Sequence, residues 1–119
     1  MRVLLVDDEV ELVSTLAERL SLRDIEADWF TSGADALKQV ETETYDLAVL
    51  DVKMPKISGI KLKKMLQEKC PDMKFIFLTG HGSQADFKAA VLESGSEFYL
   101  VKPFKIEALI EKMNEVLKK

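Results

Sequence analysis

Residues 2–12, RVLLVDDEVEL, run four apolar side chains, Val3–Val6, directly into three acids, Asp7, Asp8 and Glu9. An apolar run this short, with no polar alternation, has the length of a strand covered on both faces. Carboxylates repel one another. The densest negative charge of the chain, placed at the end of a buried strand, therefore calls for a partner elsewhere in the fold.

Four further short runs follow: Ile25–Phe30, Leu47–Leu50, Phe75–Leu78 and Phe98–Val101. Three are continuously apolar like the first. The exception, IEADWF, alternates Ile25, Ala27 and Trp29 with Glu26 and Asp28, which suits a strand at a sheet edge. Between the runs the apolar period lengthens to that of an amphipathic helix. Leu12, Val13, Leu16, Ala17 and Leu20 share one face, as do Leu62, Met65 and Leu66, and then Phe87, Ala90 and Val91. Ile106, Leu109, Ile110, Met113 and Leu117 form the clearest stripe. Ser32 before Asp35 and Ser83 before Asp86 are helix-start signals, and Gly95 is a helix stop.

Strands alternating with helices of this length predict a parallel sheet with right-handed crossovers. The expected fold is an α/β, doubly wound, three-layer sandwich of flavodoxin-like type. Its five-stranded sheet takes the order 2-1-3-4-5, and ligands bind beyond the carboxyl ends of the strands. No repeat or linker divides the 119 residues, so one domain over 1–119 is expected.

Composition narrows the function. Hydrophobic residues are 47% and charged residues 32%, an ordinary globular balance. Lys and Arg number 17 against 21 acids, so the net charge of −4 offers no footprint for nucleic acid or an anionic membrane. No apolar stretch reaches the ~18 residues of a membrane span. The first residues also lack the basic-then-apolar pattern of a secretory signal. The lone cysteine, Cys70, excludes an internal disulfide and suits a reducing compartment, so the cytoplasm is expected.

The residues that follow the runs carry the chemistry. After the first come Asp7 and Asp8, after the third Asp51, after the fourth Thr79 and after the fifth Lys102. In a parallel sheet these ends share one edge. Two carboxylates ~4 Å apart repel by ~4 kcal/mol at an effective dielectric near 20, so a proton, a base or a cation must offset them. Mg²⁺ fits best, because it takes oxygen ligands from one or two carboxylates together with a phosphate. No Cys/His cluster of zinc spacing is present. A carboxylate beside Mg²⁺ can itself attack phosphorus. Asp51, alone on the central strand, is the best nucleophile of the three, with Lys102, Thr79 and the metal each taking one phosphoryl oxygen.

LLVDDE, AVLDVKMPKISG, FLTGHG and FYLVKPF together resemble, in order and spacing, the four signature segments of the receiver domain of two-component response regulators. The resemblance covers essentially the whole chain. It implies that Asp51 accepts a phosphoryl group from a phosphohistidine on a sensor histidine kinase or phosphotransfer protein. It implies that Asp8 binds Mg²⁺ directly, Asp7 through water, and Lys53 through its backbone carbonyl. Thr79 would move toward the phosphoryl group, Lys102 would pair with it, and Tyr99 would turn inward. The face formed by the fourth helix, fifth strand and fifth helix would thereby switch. The Lys102–Pro103 bond would be cis. A downstream output domain or effector protein would read the switch, and this face also serves as a homodimer interface in the family. His81 and Lys53 occupy positions that influence phosphate lifetime in the family.

Plainer roles stand beside these. Glu9 is expected to be a helix-start acid favoured by the dipole, and the lysines from Lys53 to Lys69 a solvated face. Gly59 and its MPKISG turn shape backbone near the site. Ser96 departs from the small apolar residue commoner in the family. The main alternative function is an interaction-only receiver that signals without phosphorylation, although such members usually lose an acidic, Thr or Lys position. A haloacid-dehalogenase-type phosphatase would want an acid where Lys53 stands, and a flavin domain would find its phosphate repelled by DDE. No P-loop is present. A stand-alone regulator and a receiver cut from a longer chain fit the sequence equally.

Overall fold

The apolar Val3–Val6 run becomes the second strand across a parallel sheet. The computed structural model describes residues 1–80 and 98–118. The elements are β1 (Arg2–Val6), α1 (Val10–Ser21), β2 (Glu26–Phe30), α2 (Gly33–Gln39), β3 (Leu47–Asp51), α3 (Gly59–Lys69), β4 (Lys74–Thr79), β5 (Tyr99–Val101) and α4 (Ile106–Leu117). The helix expected around Phe87, Ala90 and Val91, with its signals Ser83, Asp86 and Gly95, lies outside the described residues, as do His81 and Ser96. The helix named α4 here is therefore the one that carries the Ile106–Leu117 stripe.

The strands run in the order β2-β1-β3-β4-β5, and every described pairing is parallel. The expected topology is met. Alternation within each strand divides the core between two faces. Val3 and Leu5 of β1 join Leu47 and Val49 of β3 against α1 and α4, where Val13, Leu16, Leu20, Leu109 and Met113 are buried. Leu4 and Val6 join Ala48 and Leu50 against α2 and α3, where Ala36, Leu62 and Leu66 are buried. The result is three layers, helices on both sides of the sheet.

Local capping signals explain where two of the helices begin. Ser32 caps α2 by accepting from the Asp35 N–H at 3.2 Å, as the spacing predicts. Ser58 does the same for α3 with the Lys61 N–H at 3.2 Å. Cys70 ends α3. At the amino ends of the strands, Arg2 donates to Asp28 and Glu43 and lies 4.9 Å over the Tyr45 ring, which ties β1 to β2 and to the start of β3.

Three expectations need correction. In α4 the buried stripe continues through Val116 rather than Leu117, which is 37% exposed; Ile106, Leu109, Met113 and Val116 keep the 3–4 spacing that stays on one face. β2 is an edge strand as its alternation indicates, yet Trp29, on the apolar side of that alternation, is 40% exposed. β5 is the other edge and is only partly buried, with Tyr99 exposed, although its apolar run suggested cover on both faces.

Candidate functional site

The carboxyl ends of β1, β3, β4 and β5 bring the expected residues together. The sheet's hydrogen bonding continues just past the strands and sets their positions. The Asp7 N–H donates to Phe30 O, Val52 N–H to Leu78 O, and Lys102 N–H to Thr79 O at 2.7 Å. Asp7, Asp51 and Thr79 are buried, whereas Asp8 is exposed. One carboxylate oxygen from each of Asp7, Asp8 and Asp51 lies within 4.8 Å of the others.

Lys102 enters this acidic group from the end of β5. Its Nζ lies 2.8 Å from Asp7 Oδ2, 3.0 Å from Glu9 Oε1 and 3.6 Å from Asp51 Oδ1. The first of these is a close ion pair that lacks hydrogen-bond alignment, so Asp7 Oδ2 is buried without an aligned donor. Asp7 Oδ1 accepts the Glu9 N–H at 2.9 Å. The ammonium therefore serves as counter-ion to the cluster.

Glu9 is the functional candidate that sequence reasoning missed. It stands at the N-cap of α1, where its side chain makes no cap hydrogen bond and reaches Lys102 instead. The two are 93 positions apart, and only the tertiary arrangement joins them. The solvated-lysine expectation also fails at one position. Lys63 is 7% exposed, with its ammonium 5.9 Å above the Phe75 ring. α3 turns this side chain inward beside Leu62 and Leu66, and the apolar stem supplies the burial.

The loop from Lys53 to Ser58 folds back under the acids. Lys56 sits at φ 69°, Ile57 N–H donates to Pro55 O, and Gly59 N–H donates to Val52 O at 2.9 Å. A Cβ on Gly59 would overlap the backbone carbonyl oxygen of Asp51. Gly59 thus permits the start of α3 to lie against the Asp51 backbone. Thr79 is fully buried, and among the described residues its Oγ1 makes a long contact of 3.5 Å to Leu100 O. Tyr99 is 39% exposed, and the Lys102–Pro103 bond is cis, as expected.

Burial raises the Asp51 pKa to about 6, with the Asp7 and Asp8 charges adding to the rise and Lys102 and the Lys53 N–H opposing it. Burial likewise pushes Asp7 up, against Lys102 and the Glu9 N–H. For Lys102 burial works against the charge, but its bonds to Asp7 and Glu9 prevail and its pKa rises. An acidic pocket this strained invites a cation. Three converging carboxylates, among them Asp7 with an Oδ2 that has the Lys102 ion pair but no aligned hydrogen-bond donor, fit a hard divalent ion with oxygen ligands.

A family model described as the response regulator receiver domain matches residues 3–114. The chain belongs to the response regulator receiver family. Among curated relatives, the receiver is 31% identical over 119 residues to response regulator MprA of Mycobacterium avium, covering 100% of this chain and 52% of that protein. It thus spans about half the length of the curated relatives it matches. Among solved structures, the Francisella response regulator 1452 receiver domain is 32% identical, with a TM-score of 0.83 over 98% of this chain and 96% of that one. A CheY-like response regulator receiver domain protein from Methanospirillum hungatei is 29% identical, with a TM-score of 0.88 over 98% and 93% of the two chains. Among the described residues of the receiver, no helix is long and apolar enough to cross a membrane.

Proposed function

We propose that this receiver is a phosphoacceptor switch in which Asp51 takes a phosphoryl group from a phosphohistidine on a sensor histidine kinase or phosphotransfer protein. The observation that carries this is the meeting of Asp7, Asp8 and Asp51 within 4.8 Å at the strand ends, with Lys102 among them. Asp7, Asp8 and Asp51, with the Lys53 backbone carbonyl, would hold Mg²⁺. When bound, that ion neutralises charge on a phosphoryl oxygen. Ionised Asp51 would attack phosphorus in line; the phosphorus–nitrogen bond breaks, and its electron pair leaves with the imidazole.

Lys102 would pair with a second phosphoryl oxygen, moving a short way from its present 3.6 Å approach to Asp51. Thr79 would donate to a third. Its 3.5 Å contact to Leu100 O is weak enough to exchange. Movement of Thr79 would draw Tyr99, now 39% exposed, inward beside it. The face of the fourth helical stretch, β5 and α4 would then shift population between two arrangements, since the group adds about −1.5 to −2 charges at one point. Dephosphorylation would use the same residues, so the chain catalyses only its own modification.

The proposed setting is a cytoplasmic two-component system, with 1–119 acting as one receiver domain. It passes the signal to an output domain or effector protein, contacts no nucleic acid or membrane itself, and can dimerise through the switch face. The test is intact mass after acetyl phosphate, with Mg²⁺ and with chelator. A labile gain of one phosphoryl group, dependent on metal and lost in Asp51→Asn, is expected. Undiminished incorporation in Asp51→Asn would refute Asp51 as acceptor. No gain under any condition, including with a phosphohistidine donor, would favour the interaction-only receiver.

A further inference from the structure

Lys102 is shared unequally among three carboxylates. Its Nζ is 2.8 Å from Asp7 and 3.0 Å from Glu9, but 3.6 Å from Asp51, beyond a good hydrogen bond. We propose that Glu9 is a positioning residue that holds Lys102 back from Asp51 until a phosphoryl group draws the ammonium away. This rests on the phosphoacceptor reading of Asp51.

The geometry gives Glu9 a fixed base and a releasable grip. Its N–H is held by Asp7 Oδ1 at 2.9 Å, and its carbonyl accepts the Val13 N–H, so its backbone is anchored at the start of α1. Its carboxylate is 61% exposed, whereas the Lys102 side chain is 12% exposed. Glu9 therefore exchanges Lys102 for water with little loss, while Asp7, 1% exposed, has no such alternative. A phosphoryl group on Asp51, carrying about −1.5 to −2 charges, is the stronger partner. Lys102 keeps Asp7 and passes from Glu9 to the phosphoryl oxygen. Restraint by one exposed ion pair slows phosphorylation ~2–5-fold.

The test is the rate of incorporation from acetyl phosphate at saturating Mg²⁺. Glu9→Gln weakens the pair by removing charge, and Glu9→Asp breaks it by shortening the reach while keeping the charge. Both should speed incorporation ~2–5-fold, and in a Lys102→Met background neither should change it. If Glu9→Asp matches wild type while Glu9→Gln stays fast without Lys102, Glu9 merely repels an anionic donor and the proposal falls. Should Lys102→Met be too slow to time, the Lys102 ammonium ¹⁵N–¹H signal of the unphosphorylated chain decides. It should shift in Glu9→Asp, and an unchanged signal overturns the tether. A wild type that takes no phosphoryl group, from acetyl phosphate or from a phosphohistidine donor, overturns the acceptor reading together with this one. Incorporation with no Glu9 effect overturns this one alone.

Discussion

The Cα of Gly59 faces the Asp51 carbonyl so closely that the Cβ of any other residue would overlap that oxygen and crowd Val52 Cα. These atoms are backbone, so neither side can yield by a rotamer change. Gly59→Ala should therefore lower stability by about 1–3 kcal/mol and disturb the loop beneath the acids. Gly33→Ala is the control. Its Cβ would lie 3.3 Å from Ile57 Cβ and 3.4 Å from Leu62 Cδ1, a crowding of a few tenths of an ångström rather than a backbone overlap, and should change stability by less than ~1 kcal/mol. Urea unfolding and Mg²⁺ titration of both variants check this; equal effects would show that the backbone approach is immaterial.

Stability without metal should fall as pH rises through the window set by Asp51. Its ordinary value is 3.8 and its folded value about 6. Between these, the folded chain holds a proton that the unfolded chain has released, so raising the pH favours unfolding. Above about pH 6 the full penalty applies, on the order of 1–2 kcal/mol after allowance for solvent screening. Asp7, also raised by burial, acts in the same direction. Asp51→Asn should remove much of the slope and leave the metal-free protein more stable than wild type at pH 7. Mg²⁺ should restore wild-type stability at pH 7 and bind more weakly below about pH 6, where the proton competes. Urea midpoints from pH 4.5 to 8, with chelator and with Mg²⁺, measure both effects.

Removing the ammonium from the acids should strengthen cation binding. Lys102 is the counter-ion nearest Asp7 and approaches Asp51 as well. A divalent and a monovalent cation ~5 Å apart repel by ~1.7 kcal/mol even at water's dielectric. Lys102→Met should thus bind Mg²⁺ about tenfold more tightly by calorimetry, while losing any spectral response of β5 and α4 to phosphorylation. Weaker Mg²⁺ binding would mean that Lys102 organises the acids rather than competing with the ion.

How much of this was legible in the sequence follows from how local each signal is. Val3–Val6, Leu47–Leu50 and Phe75–Leu78 declared buried strands because both faces of each are covered, and alternation in IEADWF marked the edge. Once the strands are parallel, the residues after them must share an edge, so the sequence alone groups Asp7, Asp8, Asp51, Thr79 and Lys102. Pairing choices within that edge were not legible. Lys102 could have met any of four acids, and its preference for Asp7 and Glu9 depends on side-chain reach and burial. Val116 displaced Leu117 because a stripe of alternating 3- and 4-residue steps admits either until the sheet is in place. The burial of Lys63 was illegible for a similar reason: a charge pattern shows what a side chain's end prefers, and burial is decided by its stem.

That stem gives the last prediction. Lys63 is 7% exposed and lies over Phe75, and burial lowers its pKa. A lowered lysine pKa means that folding disfavours the charged form, so the ammonium at this position opposes stability while the methylenes favour it. Lys63→Met keeps the length and removes the charge; stability should be unchanged or gain up to ~1 kcal/mol. Lys63→Ala discards the stem over Phe75 and should lose about 1–2 kcal/mol. Denaturant midpoints for the pair distinguish packing from charge. If Met were as damaging as Ala, the ammonium itself would be stabilising this face, through the Phe75 ring or another partner.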